Sequence, residues 1–116
     1  MNPPPFLIIE TGQPFPSLRR YGRFPHWIRV AAGLEQAETV VVNVEHGERL
    51  PARHGFAATI VTGSAAFVTD RAEWSERSAD WLREAAPAGM PLLGICYGHQ
   101  LLAHALGGEV AYNPAG

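Results

Sequence analysis

Pro91-Leu92-Leu93-Gly94-Ile95-Cys96-Tyr97-Gly98-His99-Gln100-Leu101-Leu102 passes from strand to helix within a few residues. The apolar run at 91–95 reads as a buried strand, and the pattern from Tyr97 predicts a helix over 97–106, stopped by Gly107-Gly108. Between them lies G-x-C-x-G, the cysteine form of a nucleophile elbow. A nucleophile on such a turn sits in a strained backbone conformation that lifts its side chain above the sheet. Neighbours two positions away on either side would collide unless small, and both are glycine: Gly94 and Gly98. The helix start favours a thiolate at Cys96 over the thiol, and its first free N–H groups, beginning at Tyr97, are available to an oxyanion. A lone cysteine is ordinarily a small buried hydrophobe. The bracketing glycines and the strand–helix setting argue against that here.

Outward from this turn, apolar or β-branched runs at 6–9, 39–44 and 57–61 read as further buried strands, with a fifth beginning at 109–112. Residues 17–33 carry apolar positions at helical spacing, and Pro25 predicts a break into two short pieces, the second ending at Gly33. A helix is predicted over 71–86, with Trp74, Ser78, Trp81, Leu82 and Ala85 on one side. Strands alternate with helices, and the strands are continuous apolar runs. That pattern predicts an α/β fold, a three-layer sandwich around a mainly parallel sheet of flavodoxin-like type. The closing Asn113-Pro114-Ala115-Gly116 reads as a turn after a strand, so more chain is expected to follow.

Composition bounds the function. The 116 residues allow one domain or part of one, and 47% hydrophobic residues are enough for a core. A net charge of −2 gives no footprint for nucleic acid or a lipid surface. The single cysteine cannot form an internal disulfide, and the N-terminus lacks the pattern of a signal peptide. No apolar run is long enough to span a membrane. A soluble, cytoplasmic protein is expected. No cofactor is indicated, and no Cys/His/Asp/Glu cluster has metal-ligand spacing.

Residues 91–102 resemble the nucleophile segment of class I glutamine amidotransferases. Ala105-Leu106-Gly107-Gly108 and the strand after it are similar to the same family, as are the first strand and its Gly12 turn. Thr62-Gly63-Ser64 resembles the family's glycine-containing oxyanion loop. The likeness is greatest to stand-alone members similar to the amidotransferase part of GMP synthase, and it makes residues 1–116 the N-terminal portion of one such domain. It implies that Cys96 attacks the side-chain amide of glutamine, forms a γ-glutamyl thioester and releases ammonia to an acceptor. The backbone N–H of Tyr97 and one from Gly63 or Ser64 would hold the oxyanion, and Gln100 would contact the bound glutamine. A synthetase or other ammonia-acceptor domain is the implied partner. A γ-glutamyl hydrolase or cysteine peptidase of the same fold, and a catalytically incomplete binding fragment, are the alternatives.

The family takes its general base and orienting acid from an H-x-E motif well downstream of the cysteine, so neither is expected within these residues. His46-Gly47-Glu48 spells H-x-E, but it follows the second strand, on the far side of the first in a doubly wound order. His99 reads as a packing or hydrogen-bonding residue, His104 as a surface or interface residue, and His26 and His54 as ordinary. Trp74 and Trp81 read as core residues.

Overall fold

The computed structural model describes residues 3–14, 16–64 and 68–108. The fifth strand expected at 109–112 lies outside the described residues. Four parallel strands form one sheet: β1 (Phe6–Glu10), β2 (Thr39–Asn43), β3 (Thr59–Val61) and β4 (Leu92–Gly94), in the order β2-β1-β3-β4. Three helices connect or follow them: α1 (Phe24–Ala32), α2 (Glu73–Ala85) and α3 (Tyr97–Ala105). The sheet is α/β and parallel, as the uninterrupted apolar runs predicted. β3 and β4 are shorter than their apolar runs because only their centres pair fully. The flanks still bond at single points, Thr59 N–H to the Pro91 carbonyl at 2.9 Å and Ile95 N–H to the Val61 carbonyl at 3.0 Å.

From β1 the chain crosses through α1 to β2 on one side. From β3 it crosses through α2 to β4 on the other. Right-handed crossovers running in opposite directions put α1 and α2 on opposite faces of the sheet. The α2/α3 face carries the main core, where Leu7, Ile9, Val61, Leu82 and Leu101 are all fully buried. On the α1 face Ile8 and Ile60 are buried, while Leu93 is 57% exposed.

The reading of Pro25 as a break needs correction. Pro25 sits in the first turn of α1, where a missing N–H costs nothing because that group has no helical partner. A 3-10 turn at Pro16–Tyr21 precedes the helix, and the chain breaks at Gly22, whose φ is +106°. Gly33 ends α1 in the left-handed conformation, φ 70°, with Leu34 N–H reaching the Arg29 carbonyl at 2.9 Å.

Trp81 is buried and donates its indole N–H to the Pro51 carbonyl at 2.8 Å. Trp74 is half-buried against Tyr97, with ring centroids 5.8 Å apart. Both also line a cavity of about 600 Å³ between the segment after β2 and α2. His104, expected at the surface or an interface, sits partly buried between α3 and α2. Its Nε2 lies 3.2 Å from Glu76 Oε2, so it ties α3 to α2. The partner is 28 positions away and cannot be seen in local sequence.

Tyr97 connects this core to the turn before α3. Its ring is only 3% exposed, and its hydroxyl is hydrogen-bonded to the Ser75 hydroxyl. Burial pushes its pKa above the ordinary 10.0, with nearby carboxylates adding to the shift and the Ser75 hydrogen bond opposing it. A folded-state pKa above the unfolded one gives stability that is complete below the unfolded value and is lost as pH rises through the folded one. The urea midpoint is therefore expected to fall as pH rises past about 10, and Tyr97→Phe should flatten that fall. Urea titrations of both proteins between neutral pH and pH of about 11 measure it.

Candidate active site

Cys96 joins β4 to α3 with φ 53° and ψ −111°, a conformation that L-residues rarely adopt. It is one of two non-glycine residues at positive φ among the described residues, the other being Arg71. The side chain is exposed, which excludes the buried, inert cysteine. Steric contact explains the flanking glycines. A Cβ on Gly94 would lie 2.5 Å from the His99 nitrogen, and one on Gly98 would lie 2.8 Å from the Val61 carbonyl carbon and 2.9 Å from its Cβ. The turn is that tight because β3 runs directly beneath the first turn of α3.

The start of α3 is partly satisfied. Gly98 N–H bonds the Ile95 carbonyl at 2.9 Å, and Gln100 N–H bonds the Cys96 carbonyl at 3.2 Å. No acceptor among the described residues takes the Tyr97 N–H. The ring of Tyr97 is anchored on the α2 side, which holds this peptide in place.

The loop after β3 comes beside the cysteine. A Cβ built on Gly63 would be 3.9 Å from the Cys96 Cβ. Thr62, Gly63, Ser64 and Cys96 border a cavity of about 390 Å³ whose other walls are Phe24, Trp27, Ile28, Ala31 and Ile95. Polar backbone and the thiol thus lie at one end of a mostly apolar slot. The loop lies at the point where the connections leaving β1 and β3 run in opposite directions, the usual ligand crevice of an open α/β sheet. Of the residues singled out from sequence, Cys96, Gly63 and Ser64 meet here, with the Tyr97 peptide adjoining. Gln100 is exposed one turn into α3 and does not line the cavity.

None of the histidines lines this cavity. His46 follows β2 at the opposite edge of the sheet, three strand spacings or about 14 Å from the strand that precedes Cys96. His99 is exposed.

Two features escaped the sequence reading. The α1 wall of the slot uses Phe24, Trp27, Ile28 and Ala31, spaced as one helical stripe, but the pattern could not show which element it faces. Glu10, fully buried at the end of β1, pairs with the Arg23 guanidinium, with Nε at 2.9 Å from Oε2. That hydrogen bond raises the Arg23 pKa above its ordinary value. The clue was an acidic residue closing an apolar run.

These features place an exposed cysteine on a strained, glycine-flanked strand–helix turn of a doubly wound sheet. Residues 21–115 match the family model for class I glutamine amidotransferases, and the chain belongs to that family. It is 41% identical over 68 residues to a glutamine-hydrolysing GMP synthase of Aeropyrum pernix, a match covering 59% of this chain and 12% of that protein. A glutamine-hydrolysing GMP synthase of Thermomicrobium roseum is 56% identical over 41 residues, covering 30% of this chain and 7% of the other. The crystal structure of a glutamine amidotransferase from Methylobacillus flagellatus superposes with a TM-score of 0.73 at 22% identity, covering 97% of this chain and 43% of that one. The matches thus span a small fraction of the GMP synthases and under half of the solved amidotransferase. Among the described residues no helix is long and apolar enough to cross a membrane.

Proposed function

We propose that these residues are the N-terminal portion of an amidotransferase domain in which Cys96 attacks the side-chain amide carbon of glutamine. The C–S bond forms first and the carbonyl oxygen takes up the electron pair as a tetrahedral oxyanion; its collapse breaks the C–N bond, the leaving nitrogen takes a proton and departs as ammonia, and water later hydrolyses the γ-glutamyl thioester to glutamate and the free thiol. The Tyr97 N–H and one from Gly63 or Ser64 stabilise the tetrahedral oxyanion, and Gln100 contacts the substrate. Ammonia passes to an acceptor domain of the synthetase type. The observation that carries this reading is the exposed thiol, held at φ 53° beside the loop after β3 at the mouth of a slot.

The general base and its acid are supplied from outside residues 1–116, since no histidine borders the slot. The 116-residue chain is accordingly expected to release ammonia from L-glutamine at close to the uncatalysed rate. Added imidazole, a diffusible base, should raise that release with Cys96 present and not in Cys96→Ser. Equal release from both proteins would overturn the role of the thiol. Fast release without imidazole would place the base within the chain. Preferential cleavage of γ-glutamyl peptides would assign the site to a hydrolase of the same fold.

A further inference from the structure

Two buried threonines behind the slot have no part in the chemistry above. Thr11 follows β1 and Thr62 follows β3, and neither has any exposed surface. The Thr11 backbone N–H donates to Thr62 Oγ1 at 3.0 Å. The Thr11 hydroxyl lies 2.8 Å from the Thr62 carbonyl and 3.2 Å from the Gly63 carbonyl, and the Thr62 hydroxyl is also 3.2 Å from the Gly63 carbonyl. Each hydroxyl has one proton. A consistent assignment has Thr62 donating to the Gly63 carbonyl and Thr11 donating to the Thr62 carbonyl, with a longer second approach to Gly63.

The Gly63 carbonyl therefore points inward, toward β1. In a trans peptide the following N–H points the opposite way. That N–H belongs to Ser64, which lines the slot beside Cys96. If the peptide turned over, a carbonyl would face the slot, and it would repel the anion that an N–H there attracts.

We propose that Thr11 and Thr62 form a latch that fixes the Gly63–Ser64 peptide with its N–H toward the slot. Thr11, on a different strand, is then a positioning residue that acts through Thr62: its N–H and hydroxyl hold the Thr62 Oγ1 and carbonyl, and the Thr62 hydroxyl in turn holds the Gly63 carbonyl. The inference rests on the reading of Cys96 as the nucleophile toward glutamine, and it selects Ser64 over Gly63 as the donor.

The test uses Thr11→Val, which keeps the shape and removes the hydroxyl, and Thr11→Ser, which keeps the hydroxyl. Two reagents are compared. The chloroketone analogue of L-glutamine develops an oxyanion as the thiol adds to it, whereas iodoacetamide is attacked at carbon without one. Thr11→Val is expected to slow chloroketone labelling of Cys96 by about tenfold or more, less than or equal to the loss of a whole oxyanion donor. Iodoacetamide labelling should hold, and Thr11→Ser should restore the wild-type rate. A crystal structure of Thr11→Val should show the Gly63–Ser64 peptide turned over or in two orientations. An unchanged peptide, an unchanged chloroketone rate, or equal slowing of both reagents would overturn the latch. If the wild type shows no preference for the chloroketone, the glutamine reading fails, and the peptide orientation in the variant still decides the latch. Thr11→Ala, which removes bulk, serves should the valine variant not fold.

Discussion

Gly98→Ala is expected to destabilise the chain by roughly 2 kcal/mol, an overpacking cost of about 3 kcal/mol less the gain in helix propensity. Two effects compete at this position. Replacing glycine by alanine inside a helix ordinarily gains about 1 kcal/mol. Against that, the new methyl would be driven into the backbone of Val61, 2.8 Å from its carbonyl carbon. Val61 is fully buried in β3, and its carbonyl is bonded to the Ile95 N–H at 3.0 Å. Neither side can move without loosening the β3–β4 pairing, so the steric cost wins. Because Cys96 lies in the same turn, its labelling rate should fall with the stability. Urea denaturation measures the first effect, with the exposed His99→Ala as a comparison expected to change by no more than about 0.5 kcal/mol. A Gly98→Ala protein as stable as wild type would mean that α3 does not press on β3 as described.

Cys96→Gly is expected to lose all reaction with glutamine-like electrophiles and to be at least as stable as the wild type. The loss follows from removing the only thiol in the chain. The stability follows from the backbone. At φ 53° and ψ −111° a residue with a Cβ is strained, at a cost of about 1–3 kcal/mol, and glycine is not. Glycine's greater freedom in the unfolded chain offsets roughly 0.5–1 kcal/mol of that relief. A net gain of about 1 kcal/mol remains, readable as a higher urea midpoint. Cys96→Ala should be equally unreactive without the gain, because it keeps the Cβ. Strain held in this manner trades stability for an exposed thiol.

How far the sequence can be read depends on how local each feature is. The elbow was legible because its determinants are contiguous: an apolar run, glycines on either side of Cys96, and a helix start. The parallel sheet followed from strands that are continuous apolar or β-branched runs rather than alternating ones, a pattern that single-faced sheets do not produce. The far-edge position of His46 followed from the doubly wound order, which the sheet follows. Long-range partners were not legible. Nothing near His104 announces Glu76, and nothing in the α1 stripe says that it walls the slot. Proline disrupts helix interiors, so Pro25 predicts a break, yet the same residue suits a first turn, and only the position of the helix start distinguishes the two. The latch did leave a trace. β1 and β3, adjacent in the sheet, each run into a Thr-Gly pair, Thr11-Gly12 and Thr62-Gly63. Its meaning emerges only when the strands are placed side by side.

Recognition of glutamine by the raised thiol is the property on which the proposed chemistry depends. The most direct measurement treats the chain with the chloroketone analogue of L-glutamine, maps the label by peptide mass, and repeats the reaction with L-glutamine or D-glutamine present. One label per chain at Cys96, slowed by the L-isomer and indifferent to the D-isomer, is the predicted result. Labelling no faster than in the urea-unfolded chain, with no protection by L-glutamine, would contradict it.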